Sequence, residues 1–247
     1  MASDRPAMPG LRDALLLTLT LACGCMDAIS LLALGRVFSS MMTGNMVLLG
    51  LALGQSANAD LLRIGVALVA FSLGVALGSA IIGRDNAHVV WPRRVTVALG
   101  VELALLADFA FVWQIDVARA SELGNLSLIA MSAAAMGIQN TAALTLGITS
   151  VAKTPVPGTA YLTGTLTSLL FEFVRHAESG SEVGRRLVAL GALITGACLT
   201  SLALRYLPAA APLLPLAGLA AVVTCAARAF GAAGAHTDAT APRLAGN

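Results

Sequence analysis

The chain has 247 residues, of which 57% are hydrophobic and only 11% charged, with a mean hydropathy of +0.85; a soluble domain of this size needs far more surface charge. A net charge of +2, from 15 Lys+Arg against 13 Asp+Glu with no basic cluster interleaved with aromatics, excludes a nucleic-acid surface. About 20 apolar residues cross a hydrocarbon core of about 30 Å as a helix, and the apolar runs are continuous rather than alternating as in a β-barrel, so the chain reads as an all-α integral membrane protein whose surroundings are the lipid bilayer.

In chain order, polar breaks leave eight apolar segments: Leu11 to Leu34, Val37 to Leu53, Leu61 to Gly83, Val95 to Ile115, Leu126 to Ile148, Thr159 to Val174, Leu187 to Tyr206 and Pro212 to Phe230. Residues 1–10 and 231–247 are small, polar and Pro-containing, and are expected to be disordered tails around a transmembrane domain at 11–230. Arg5 and Arg12 before Leu15 to Cys23 imitate a signal peptide. The apolar run continues to Leu34 with no A-x-A site after it, and Thr20 stands where a lipobox wants an aliphatic residue, so the first segment is expected as an uncleaved span. The four cysteines, Cys23, Cys25, Cys198 and Cys225, lie in apolar stretches without C-x-x-C spacing and read as small buried hydrophobes.

Segments two and six are short, and each contains a Thr-Gly pair: Met42-Thr43-Gly44-Asn45 in one, Leu162-Thr163-Gly164-Thr165 in the other. Helices starting at those pairs, Thr43 to Leu53 and Thr163 to Val174, would be roughly 17 to 18 Å long, about half a bilayer core. Ser39-Ser40-Met41 and Pro155-Val156-Pro157-Gly158 suit an extended or looped approach to them. Positive charge separates the two topologies. Eight full spans put nine Arg/Lys inside and six outside. Six spans plus two re-entrant segments put eleven inside and leave Arg36, Arg63, Arg119 and Arg205 outside. The second arrangement is preferred, with a cytoplasmic N-terminus in the inner (plasma) membrane; eight full spans is the alternative.

Gly24-Cys25-Met26-Asp27 followed by Gly35, and Gly137-Ile138-Gln139-Asn140 followed by Gly147, each precede one of the Thr-Gly segments. Repeat one then covers about 11–115 and repeat two about 125–230. With three crossings and one re-entrant segment apiece, the two repeats are inverted relative to each other, a common construction of secondary transporters with a site at the midplane. A helix that starts inside the membrane turns unpaired N–H groups and a positive dipole end toward that site.

Asp27 lies deep in the first segment, and Asn140 at a similar depth in the fifth. A carboxylate there costs several kcal/mol unless paired, hydrated or protonated. Asp27 is therefore either a proton or cation site facing the helix starts, or a structural acceptor for backbone donors of the broken helix. Gln139 and Asn45 either line the same cavity or hold helices together. The expected substrate- or ion-binding set is Asp27, Thr43, Gly44, Asn45, Gln139, Asn140, Thr163, Gly164 and Thr165, with Glu102 a secondary proton carrier. Gly50 to Gly54 and Gly74 to Gly78 are G-x-x-x-G spacings that suit packing within the chain, although a homo-oligomer stays open.

At these residues the chain resembles the YoaK family of bacterial multi-pass membrane proteins, catalogued as a domain of unknown function. The resemblance rests on Gly24-Cys25-Met26-Asp27-Ala28-Ile29-Ser30, on Leu34-Gly35-Arg36-Val37-Phe38 leading to Met42-Thr43-Gly44-Asn45, and on Gly137-Ile138-Gln139-Asn140 with Tyr161-Leu162-Thr163-Gly164-Thr165. It covers roughly residues 12 to 228 and implies fold and location without naming a substrate.

The expected function is a secondary transporter or permease for a small solute, proton-coupled through Asp27 in its fullest form and using no cofactor. The alternatives are a structural or regulatory membrane subunit, and a channel. His88 and His176 lie in loops and His236 in the tail, without the clustered His and carboxylates of a metal hydrolase, so neither an enzyme nor a metal site is expected.

Overall fold

The computed structural model describes residues 9–83, 91–115, 121–148 and 180–238. Within them the chain forms seven α-helices: α1 (Pro9–Ala33), α2 (Met42–Gln55), α3 (Asn58–Ile82), α4 (Arg93–Trp113), α5 (Glu122–Ile148), α6 (Gly180–Tyr206) and α7 (Leu213–Asp238). No strand occurs among the described residues. Six of the helices, all but α2, are long and apolar enough to cross a membrane. At 14 residues, α2 is about 21 Å long, well short of a hydrocarbon core. It starts at Met42, one residue before the expected Thr43, and runs on to Gln55. α7 continues to Asp238, past the boundary expected at residue 230.

Contacts between helices give their directions. On α1 and α5, Arg12 donates to the Leu146 carbonyl while Leu19 accepts from Gln139, so the partner number falls as the α1 number rises and the two helices are antiparallel. On α3 and α5, Gly74 lies against Ala134 and Gly78 against Ile138 and Thr141, a parallel register. On α1 and α6, Asp13 pairs with Arg185 and Gly24 lies against Leu193, again parallel. α4 and α7 are antiparallel: Trp91 stacks on Phe230 with ring centroids 5.5 Å apart, and Trp113 Nε1 donates to the Pro208 carbonyl at 2.9 Å.

It follows that α1 and α3 are antiparallel. α1 therefore ends, and α3 begins, at one face of the bundle, where Gly35 lies against the Arg63 side chain. The polypeptide between them, α2 included, joins these two helix ends. At the opposite face, α5 ends beside the start of α1, and α6 begins there. Arg12, Arg93, Arg94, Arg185, Arg186 and Arg228 stand toward this second face, and Arg36, Arg63 and Arg205 toward the first.

Glycines allow the closest approaches. A Cβ on Gly24 would collide with the Leu193 carbonyl and one on Gly196 with the Leu21 carbonyl, both at the α1–α6 contact. At the α3–α5 contact a Cβ on Gly137 would meet the Phe71 carbonyl and one on Gly74 the Ala134 carbonyl. Small residues that let backbones touch are how membrane helices associate where lipid removes the hydrophobic drive. Gly78 shares this role, whereas Gly50 and Gly54 on α2 face open space.

α1 and α5 are the most enclosed spans, contributing Leu19, Met26, Ile29, Leu128, Ile129, Met136 and Ile138 to the core, with Leu99, Leu106, Phe109 and Trp113 from α4. Cys23 and Cys25 are buried thiols outside any disulfide, but Cys198 and Cys225 are exposed on the outside of the bundle, which corrects the expectation that all four are interior. In a membrane the outer surface is itself apolar, so an apolar neighbourhood in sequence does not distinguish inside from outside.

Candidate functional site

The chain leaves α1 through Gly35 at φ +100° and Arg36 at φ 63°, left-handed conformations that turn it sharply back. Phe38, Ser39 and Ser40 then descend against the last turns of α1, and Asp27 holds them. Its Oδ1 accepts from the Ser39 N–H at 2.9 Å, the Ser39 hydroxyl at 2.9 Å and the Ser40 N–H at 2.8 Å. Its Oδ2 accepts from the Ser40 hydroxyl at 2.5 Å, and that hydroxyl in turn accepts from the Cys23 thiol at 3.0 Å. Asp27, Ser39 and Ser40 are all buried.

Of the two readings open for Asp27 in the sequence, these contacts match the acceptor for backbone donors. The donors come from the loop before α2 rather than from the helix start itself. Charge-assisted hydrogen bonds of this kind are worth about 1.5–3 kcal/mol each, so the carboxylate is a strong clasp. Sequence reasoning identified Ser39 and Ser40 as a looped approach but not as partners of Asp27. The usable signal was a pair of hydroxyl residues beside a break, facing a buried acid one helix away.

Asn45 completes the clasp. Its Oδ1 accepts from the Phe38 N–H at 2.8 Å and its Nδ2 donates to the Phe38 carbonyl at 2.7 Å, so one amide pairs with both backbone groups of a single loop residue. Gly44 lies beneath the Phe38 ring, 3.0 Å from where a Cβ would stand. Thr43 is exposed. Asp27, Gly44 and Asn45 are thus brought together around one loop, and Thr43 points away from it.

In the second half, Gln139 and Asn140 are buried on α5. The Gln139 Nε2 donates to the Leu19 carbonyl at 2.9 Å, tying α5 to α1, while its Oε1 is buried with no partner. Thr163, Gly164 and Thr165 lie outside the described residues, as does the rest of segment six. Glu102 stands apart from both groups, on α4. It is 0% exposed, and neither carboxylate oxygen has a hydrogen-bond partner.

Among the described residues, six helices long and apolar enough to cross a membrane, around buried polar side chains, define a polytopic α-helical membrane protein. The family model described as "Protein of unknown function (DUF1275)" matches residues 15–226, and the chain belongs to that family. It is 41% identical over 159 residues to the UPF0700 transmembrane protein YoaK of Bacillus subtilis (strain 168), an alignment covering 64% of this chain and 66% of the relative. The chain thus spans just under two thirds of the length of this curated relative. No solved structure matches it.

Proposed function

We propose that the protein is a secondary transporter for a small solute or ion, built from two inverted repeats in the inner (plasma) membrane with its N-terminus in the cytoplasm and carrying no catalytic activity. The supporting observation is that helix packing repeats when the halves are exchanged. Replacing α1, α3 and α4 by α5, α6 and α7 turns the α1–α6 contact into the α5–α3 contact and the α1–α7 contact into the α5–α4 contact, all of which occur. The glycine pair Gly24–Gly196 becomes Gly137–Gly74. Because α1 and α5 are antiparallel, the exchange reverses direction, which supports the inverted relation and a re-entrant α2.

An inverted repeat provides two conformations related by the exchange, one open to each side, around a site where the halves meet. The clasp of Asp27 on the α2 loop and the paired Asn45 favour α2 as one of the moving gates. The face carrying Arg12, Arg93, Arg94, Arg185, Arg186 and Arg228 is assigned to the cytoplasm, since positive charge is retained there.

Ser30 and Ala143 are the test positions. Both are buried, they lie toward opposite faces, and the shift that carries Gly24 to Gly137 carries Ser30 to Ala143. Single cysteines at these positions in a cysteine-free background are labelled with an impermeant thiol reagent from either side across a panel of solutes and pH values. Transport predicts reciprocal exposure, with one rising as the other falls. Joint exposure would mean a channel, and permanent burial of both would leave a structural subunit.

A further inference from the structure

Among the described residues two carboxylates, Asp27 and Glu102, are buried, and their surroundings differ. Asp27 receives four hydrogen bonds from Ser39 and Ser40. Glu102 receives none on either oxygen and is fully enclosed. A structural acid is kept by its donors; one without donors or a counter-charge in a membrane interior is costly to keep.

The position of Glu102 is also particular. It lies eleven residues from Trp91 and eleven from Trp113, whose contacts with Phe230 and Pro208 close the two ends of the α4–α7 pair. The α4 numbers rise as the α7 numbers fall, so the same register sets Glu102 level with Leu219, itself 0% exposed. Exchanging the halves carries the Trp91–Phe230 contact into the Trp113–Pro208 contact, and Glu102 lies midway between them, at the level where the halves meet.

The helices packed against α4 are α3, α5 and α7. Their charged or titratable residues are Asp60 and Arg63 on α3, Glu122 on α5, and Cys225, Arg228, His236 and Asp238 on α7, all but Cys225 toward helix ends. On α4 itself, Arg93, Arg94 and Asp108 are exposed. None of these stands at the level of Glu102.

We propose that Glu102 is the site where the coupling proton binds, and that Asp27 is a fixed anchor of the α2 loop; this rests on the transport reading above. A proton taken from one side onto a Glu102 oxygen cancels a charge that no described residue compensates. Opening toward the other side hydrates the carboxyl and releases the proton there. One acid at the level of the exchange axis meets both sides in turn, which an acid held in one half's loop does not.

The probe is dicyclohexylcarbodiimide, an apolar reagent that consumes protonated carboxyl groups, applied to the full-length protein in membranes with the adduct mapped by mass spectrometry. The expected result is an adduct on Glu102 whose yield falls as pH rises. Glu102→Gln loses it, Glu102→Asp retains it and Asp27→Asn leaves it unchanged. An adduct on Asp27 instead, or none on Glu102, overturns the proposal. The Ser30 and Ala143 cysteines separate its failure from that of transport. In Glu102→Gln their reciprocal exposure is expected to lose its pH dependence and keep its solute dependence. Unchanged pH dependence overturns the role of Glu102 while transport stands, and permanent burial in the wild type removes both.

Discussion

Asp27 is the residue on which the α2 loop depends, because two backbone N–H groups and two hydroxyls converge on it in a space closed to water. Asp27→Ala leaves these donors buried without an acceptor and is expected to destabilise the protein by about 3 kcal/mol, read as a lower midpoint in thermal unfolding in detergent. Asp27→Asn keeps one oxygen for the Oδ1 donors, so its cost is expected to be smaller. An Ala variant as stable as the wild type would show that the clasp contributes nothing. That a carboxylate sat deep in the first segment was legible in the sequence. Its partners were not, because Ser39 and Ser40 reach it through the left-handed turn at Gly35 and Arg36, against which the Arg63 side chain of α3 lies.

At the level of elements, glycine spacing alone does not say which helices touch. Gly50 to Gly54 and Gly74 to Gly78 share one motif, yet only the second pair meets another helix. Gly74→Ala is expected to push α3 off α5 and cost about 1–3 kcal/mol through overpacking. Gly50→Ala and Gly54→Ala, in open space, are expected to cost nothing or to stabilise α2 by up to about 1 kcal/mol through helix propensity. Thermal unfolding of the three variants checks the contrast, and equal behaviour would mean that the α3–α5 contact is looser than the backbone approach implies. Nothing local in the sequence joins Gly196 to Gly24, which lies on another helix.

For the whole molecule, the direction of each helix decides the topology. Since α1 and α3 are antiparallel, single cysteines at Arg36 and Gln55, both exposed, are expected to be labelled by an impermeant reagent from one side and one at Arg94 from the other; with the proposed cytoplasmic N-terminus, only Arg94 needs permeabilised cells. Ser39 is a poorer probe, being 1% exposed, and would stay unlabelled on either topology. Labelling of Arg36 and Gln55 from opposite sides would make α2 a crossing and overturn the proposed inverted arrangement. Segment length and charge favoured six long spans and a short second helix over eight full spans, since the bilayer sets a minimum span and the excess of arginine marks one side; the described residues hold six helices long enough to cross and a short α2.

What the sequence determined by itself is what a single segment must satisfy against lipid: helical structure, which described segments are long enough to span, the shortness of α2 and the presence of Asp27, Glu102, Gln139 and Asn140 within them. The tertiary structure alone decided which of these residues are engaged and which face outward. Asp27 and Asn45 are bound to the Phe38–Ser40 loop, Gln139 reaches α1, Cys198 and Cys225 look out, and Glu102 is enclosed without a partner. The physical reason is that lipid is as apolar as the bundle interior. Hydrophobic pattern therefore sets which segments enter the membrane, and only backbone approach and long-range hydrogen bonds set which face of each helix is buried.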